Sequence, residues 1–140
     1  MSTGTFFEDL QIGQTASLGK TITEADILMY AAVSLDSNPV HLNAEAAKQS
    51  MFGERIAHGM LSAGLISAVL GTQLPGPGTI YLGQSLRFTR PVKIGDTVTA
   101  TVEVTELQAE RKRATLKTVC TVAGKTVIEG VATVQVPSRG

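Results

Sequence analysis

Two histidines make up the whole imidazole complement of this 140-residue chain, and each sits where it could move a proton. His41 ends the run Asp36-Ser37-Asn38-Pro39-Val40-His41, and His58 lies in Ile56-Ala57-His58-Gly59-Met60-Leu61. On one continuous helix a spacing of five places Asp36 and His41 about 140° apart, too far round to share a ligand. On a turn fixed by Pro39 the two converge. A carboxylate and an imidazole facing one water supply a base and an acid that both work near neutral pH. The same residues also suit a purely structural turn, with Asp36 and Asn38 accepting hydrogen bonds from nearby backbone N–H groups. In both readings Asn38 and Pro39 shape the loop.

Gly59 opens an uncharged apolar run that ends at Gly71. The first N–H groups of a helix lack intrahelical acceptors and carry the positive end of its dipole. A glycine there lets a carbonyl oxygen approach with no Cβ in the way, which is what an oxyanion hole requires. The alternative is that His58 is an ordinary polar N-terminal residue and Gly59 a packing glycine. Cys120 is the only cysteine, so it can form neither an intramolecular disulfide nor a cysteine cage for a metal. It alternates with Leu116, Thr118 and Val122 and reads as a packing residue. Two histidines in such separate contexts make no ligand set, so neither a metal nor another cofactor is expected.

The elements that must hold these groups fall into two halves. Up to about Gly71 the chain reads as helices and loops; from about Thr79 it alternates with period two. Thr23-Glu24-Ala25-Asp26 has the form of a capping box and predicts a helix from Glu24 to about Ser34. Leu35 to Leu42 breaks that helix at Pro39, and Asn43 offers an N-cap for a short helix from Ala44 to about Gln49. The Gly59–Gly71 run is apolar on nearly every face and predicts a buried helix. Leu74-Pro75-Gly76-Pro77-Gly78 is a turn cluster. Strands are expected around Ile80–Phe88, Val98–Thr105, Arg113–Val122 and Val127–Val136, joined by short links as an antiparallel meander. The expected class is α+β: an antiparallel sheet of about five strands wrapped around a long buried helix, the hot-dog architecture, in one domain over residues 1–140. Its open sheet edges predict a homodimer.

Composition narrows the function classes. Hydrophobic residues reach 43%, enough for a core. Lys plus Arg number 12 and so do Asp plus Glu, and a net charge of zero argues against nucleic acid as a partner. Met1 to Asp9 has no basic segment leading into an apolar run, and Ser2 stands where myristoylation needs glycine. Ser138-Arg139-Gly140 is no peroxisomal signal, and Gly59 to Leu74 is shorter than the roughly 18–20 residues of a membrane span. A soluble cytoplasmic protein without a membrane association is expected.

Taken together, Asp36-x-Asn38-Pro39-x-His41 and Ile56-Ala57-His58-Gly59-Met60-Leu61 resemble the MaoC-like dehydratases, the R-specific enoyl-CoA hydratase family. The resemblance runs on through Ile80-Tyr81-Leu82-Gly83-Gln84-Ser85-Leu86 and Pro91-Val92-Lys93-Ile94-Gly95-Asp96, and covers about Thr21 to Val136. One departure is Leu35, where that family commonly has glycine before the catalytic aspartate. The resemblance implies Asp36 and His41 as the catalytic pair, the Gly59 N–H as oxyanion donor, and water added to a trans-2-enoyl-CoA to give an (R)-3-hydroxyacyl-CoA. The later segments look closest to short hydratases that supply polyhydroxyalkanoate synthesis. It also implies that Ser67 and Leu70 wall the acyl chain. Arg87, Arg90 and Lys93, or Arg111-Lys112-Arg113, could meet coenzyme A phosphates or simply be solvated. Dehydration on acyl carrier protein, a hot-dog thioesterase and a non-catalytic acyl-thioester-binding subunit are the rival readings; the uncharged helix disfavours the thioesterase.

Overall fold

A computed structural model describes residues 4–140. Ser2, on which the acylation reading turned, lies outside them. In chain order the elements are β1 (Thr15–Thr21), α1 (Glu24–Ser34), α2 (Pro39–Leu42), α3 (Ala44–Lys48), α4 (Gly59–Thr72), β2 (Ile80–Gln84), β3 (Arg87–Phe88), β4 (Thr97–Gln108), β5 (Arg113–Val122) and β6 (Lys125–Gln135).

Period-two patterning becomes a curved antiparallel sheet in β4, β5 and β6. Val98, Ala100, Val102 and Val104 of β4 face inward, as do Ala114, Leu116, Thr118 and Cys120 of β5. Ile128, Ala132 and Val134 of β6 complete that inner face. Each fully buried Val, Leu or Ile among them contributes about 1.5–3 kcal/mol. Between β5 and β6, Ala123 (φ 51°) and Gly124 (φ 79°) form a two-residue loop closed by the Val122–Lys125 pair. Positive φ at both residues is the type I′ geometry, whose twist matches that of the strands it joins.

The sheet order is β1-β4-β5-β6-β2, with β3 also paired to β6. It therefore has six strands rather than five, and two differences account for the count. The first half of the chain contributes β1, which pairs with β4 from Thr15–Glu103 to Thr21–Thr97. The expected strand over Ile80–Phe88 is broken into β2 and β3 at Ser85. Gly130 explains the break: the Ser85–Leu86 link crosses directly over its Cα, and an added Cβ would lie 1.8 Å from the Ser85 carbonyl oxygen. Gln84 occupies an otherwise apolar register because its side-chain N–H donates to the buried Thr118 hydroxyl at 2.9 Å.

Helix α4 lies across the inner face of the sheet and buries Ser62, Ala63, Ile66, Val69 and Leu70. Its apolar sequence predicts burial on all sides, but within this chain Met60, Gly64 and Ser67 are exposed. They recur at helical spacing, so one stripe of α4 is left uncovered by its own sheet.

The capping box of α1 forms as expected: the Thr23 hydroxyl accepts from the Asp26 N–H at 3.2 Å and the Asp26 carboxylate from the Thr23 N–H at 2.9 Å. At its other end Leu35 adopts φ 66°, ψ 13°, the left-handed conformation that ends many helices. Glycine takes that conformation without strain; a Cβ costs roughly 1–2 kcal/mol there. Leu35 is also 85% exposed, so little packing offsets the strain. Leu35→Gly is expected to stabilise the protein by about 0.5–1 kcal/mol, net of the extra chain entropy of glycine. Thermal unfolding checks this; a lower Tm would mean that the leucine side chain is held by contacts not apparent in the single chain.

Candidate active site

The segment after α1 turns sharply because four short hydrogen bonds leave it little choice. The Ser34 hydroxyl donates to the Tyr30 carbonyl at 2.7 Å and accepts from the Asp36 N–H at 3.1 Å. The Asp36 carboxylate accepts from the Asn38 N–H at 3.3 Å, and the Asn38 side-chain oxygen accepts from the Val40 N–H at 3.2 Å. Asn38 is thus the N-cap of α2, with Pro39 in the first turn. Pro39 ends the α1 pattern and shapes the loop as expected, and because its missing N–H costs nothing at a helix start it also opens a four-residue helix that the sequence reading does not include. The Asx-type turn and the convergence of Asp36 with His41 coexist: one carboxylate oxygen orients the loop, and the group still faces the site.

Arg55 locks this helix in place. Its Nε donates to the His41 carbonyl at 2.7 Å, and its guanidinium pairs with Glu24 of α1 at 2.9 Å. The His41 ring is buried, and its Nδ1 lies 2.8 Å from the Ile56 carbonyl oxygen. A carbonyl can only accept, so Nδ1 carries the proton and Nε2 is the nitrogen left to exchange one.

His58 comes to the same place from the start of α4. It is 2% exposed, and its Nε2 donates to the Asp36 main-chain carbonyl at 2.9 Å. Its ring stacks on His41 with centroids 3.9 Å apart and lies 4.7 Å from the Tyr30 ring. Sequence reasoning treated His58 as a neighbour of Gly59 and missed this role. The signal was the pairing of a second histidine with a helix start, but the partners that fix its ring come from two other elements.

Asp36, His41 and His58 each offer one donor atom, and the three atoms lie within 4.8 Å of one another. The expectation of no ligand set is revised to that extent. Separate in sequence, the histidines are neighbours in the fold, and a divalent cation could compete with water for this cluster.

These groups line a cavity of about 500 Å³. Gly59, Met60, Phe88, Pro91, Val92 and Ile128 are among the residues of its apolar wall, and Ser62 and Arg90 also line it. Gly59 is the first residue of α4, and the His58 side chain does not cap it, so its N–H is among the donors without an intrahelical acceptor. Phe88 lies tightly against the Gly59 Cα, and a Cβ there would meet the ring at 2.6 Å. Two buried polar atoms of the cavity, His58 Nδ1 and Ser62 Oγ, have no hydrogen-bond partner.

Other expected site residues fall elsewhere. Leu70 belongs to the core and Ser67 to the exposed stripe of α4, and neither lines this cavity. Of the basic clusters, Arg90 is at the cavity, while Lys93 pairs with Glu54 at 3.6 Å. Lys112 pairs with Glu8 at 3.7 Å. Arg113 lies seven residues, roughly 23 Å, along β5 from Cys120, whose β6 partner Ile128 lines the cavity.

Residues 9–131 match the family model described as MaoC like domain. The chain is 64% identical over 135 residues to an (R)-specific enoyl-CoA hydratase of Rhodospirillum rubrum, covering 96% of this chain and 94% of that relative. Among solved structures, the unliganded R-hydratase PhaJ1 of Pseudomonas aeruginosa superposes with a TM-score of 0.92 at 49% identity, covering 97% of this chain and 88% of the other. The (R)-hydratase from Aeromonas caviae involved in PHA biosynthesis gives a TM-score of 0.90 at 46% identity, covering 93% and 99%. A six-stranded hot-dog sheet, the placement of Asp36, His41 and Gly59 on one cavity, a family match across most of the length and relatives of this similarity make the chain a member of the MaoC-like dehydratase family.

Proposed function

We propose that this protein is an R-specific enoyl-CoA hydratase, adding water reversibly to a trans-2-enoyl-CoA to give an (R)-3-hydroxyacyl-CoA. The observation that carries the reading is the placement of Asp36, His41 and the Gly59 N–H on one cavity. The thioester carbonyl oxygen accepts from the Gly59 N–H, which draws electron density from the β-carbon. One water lies between the Asp36 carboxylate and His41 Nε2. As its oxygen bonds to the β-carbon, one proton passes to the pair, and a proton from the pair closes the α-carbon of the enolate. Atoms balance as one water added across the double bond. Both groups lie on one side of the substrate, so addition is syn; the relatives' names support the R configuration.

The assay is direct. The protein should consume the conjugated double bond of crotonyl-CoA without releasing free thiol. Thiol release would instead make it a thioesterase, and no change in either signal would leave the carrier-protein dehydratase and binding-subunit readings.

Coenzyme A is favoured over acyl carrier protein by the names of the relatives at 64% and 47% identity, both (R)-specific enoyl-CoA hydratases. Arg90, which stands at the cavity and forms no ion pair among the described residues, is placed to meet its phosphates. A phosphate contact by such a group is worth about 1–2 kcal/mol. Arg90→Glu is expected to raise KM for crotonyl-CoA roughly tenfold and to leave crotonyl-pantetheine, which lacks the phosphates, unaffected. Equal effects on both would remove Arg90 from carrier recognition.

The protein acts as a homodimer in this reading. Leu28, Met29 and Val33 on α1 and Ile80, Tyr81 and Leu82 on the edge strand β2 are exposed in the single chain, and a second copy would cover them. Among the described residues no helix is long and apolar enough to cross a membrane. A lone buried thiol suits the reducing cytoplasm, where the product would feed fatty-acid or polyhydroxyalkanoate metabolism.

A further inference from the structure

We infer that His58 is a positioning residue that organises both members of the catalytic pair. This rests on the hydration reading above. Three observations carry it. The Nε2–H of His58 donates to the Asp36 carbonyl at 2.9 Å and so fixes the backbone from which the carboxylate projects. The face of its ring stacks on His41 with centroids 3.9 Å apart, and the Tyr30 ring lies tilted against it at 4.7 Å. Its Nδ1 is buried without a partner.

The third observation separates positioning from simple packing. A side chain needed only to fill the space between Tyr30 and His41 would be better as an aromatic hydrocarbon, because an orphaned buried acceptor is unfavourable. An imidazole persists here because its Nε2–H does something that carbon cannot. The carbonyl at Nε2 accepts, so Nδ1 is unprotonated in the neutral ring. His58 thus holds the Asp36 backbone with one edge and gives the His41 ring a flat platform.

Displacing a catalytic group by about 1 Å costs on the order of 100-fold in rate. His58→Phe keeps the ring stack and loses the hydrogen bond, so kcat for crotonyl-CoA is expected to fall between about 10- and 100-fold with KM changed less than about threefold. His58→Gln places an amide N–H about where Nε2–H was, and should recover kcat to within about fivefold of the parent. His58→Asn reaches only as far as Nδ1 and should not. That order of Gln above Asn and Phe, at similar Tm, supports the inference. Phe as active as the parent, or Gln no better than Asn, overturns it. A parent protein that leaves crotonyl-CoA untouched overturns the hydration reading and this one with it.

Discussion

Asp36→Asn and His41→Ala proteins, still folded and dimeric, are expected to hydrate crotonyl-CoA about 10³–10⁴-fold more slowly than the parent, with the loss in kcat. The magnitude follows from the chemistry each group supplies. General acid–base transfer contributes some 10²–10⁴-fold, and here one pair handles both the proton leaving water and the proton reaching the α-carbon. Asn keeps the shape of Asp36 and its place in the Asn38 turn but cannot accept a proton, so the loop survives and the chemistry does not. His41→Ala removes the only ring whose Nε2 is left free by a fixed Nδ1–H. The double variant should be little worse than either single one, because groups that act as a unit are not additive. Activity within tenfold of the parent in both single variants would remove the pair from the mechanism.

Gly130→Ala is expected to destabilise the fold by about 3 kcal/mol or more and to lower Tm by roughly 10 °C. The obstacle to the new methyl is main chain: the Ser85 carbonyl oxygen at 1.8 Å and its carbon at 2.8 Å. A side chain could swing aside, but this link is held to β6 by the Ser85 N–H donating to Val131 at 2.9 Å and by the Val131 N–H donating to the Ser85 hydroxyl at 3.0 Å. Relief requires the whole β2–β3 connection to lift. Because β3 carries Phe88 over Gly59, hydration should fall more steeply than stability does. Gly19→Ala on β1 is the control, since its Cβ would meet nothing nearer than the Thr99 hydroxyl at 3.6 Å. A Gly130→Ala protein as stable as that control would show that the link is free to move.

Where sequence and structure agree, the pattern was local. The Thr23–Asp26 box and the alternation of β4, β5 and β6 each follow from residues a few positions apart. Where they differ, the deciding partner is distant. β1 has only Ala16 and Leu18 half-buried among Thr, Ser, Gly and Lys, and becomes a strand by pairing with β4 some 80 residues on. The break at Ser85 is imposed by Gly130. The uncovered stripe of α4 is equally invisible in composition, because an apolar helix does not record which of its faces the sheet leaves open. In the site, Asp36, Asn38, Pro39, His41 and Gly59 were legible because their turn chemistry lies in one or two short segments. The role of His58 was not, since its ring is fixed by Tyr30, His41 and Asp36 together. Ser67 and Leu70 came from family resemblance alone, and the cavity of the single chain does not reach them.

Cys120 on β5 is wholly buried beneath α4, its Sγ 3.7 Å from the Ser62 carbonyl, and burial pushes its thiol up to about 11. So sequestered, the sulfur is nearly all protonated at neutral pH and shielded from alkylating and disulfide-exchange reagents. A colorimetric thiol reagent can therefore sit in the cuvette throughout turnover: any yellow that develops comes from liberated coenzyme A, and the protein contributes neither background nor self-inactivation.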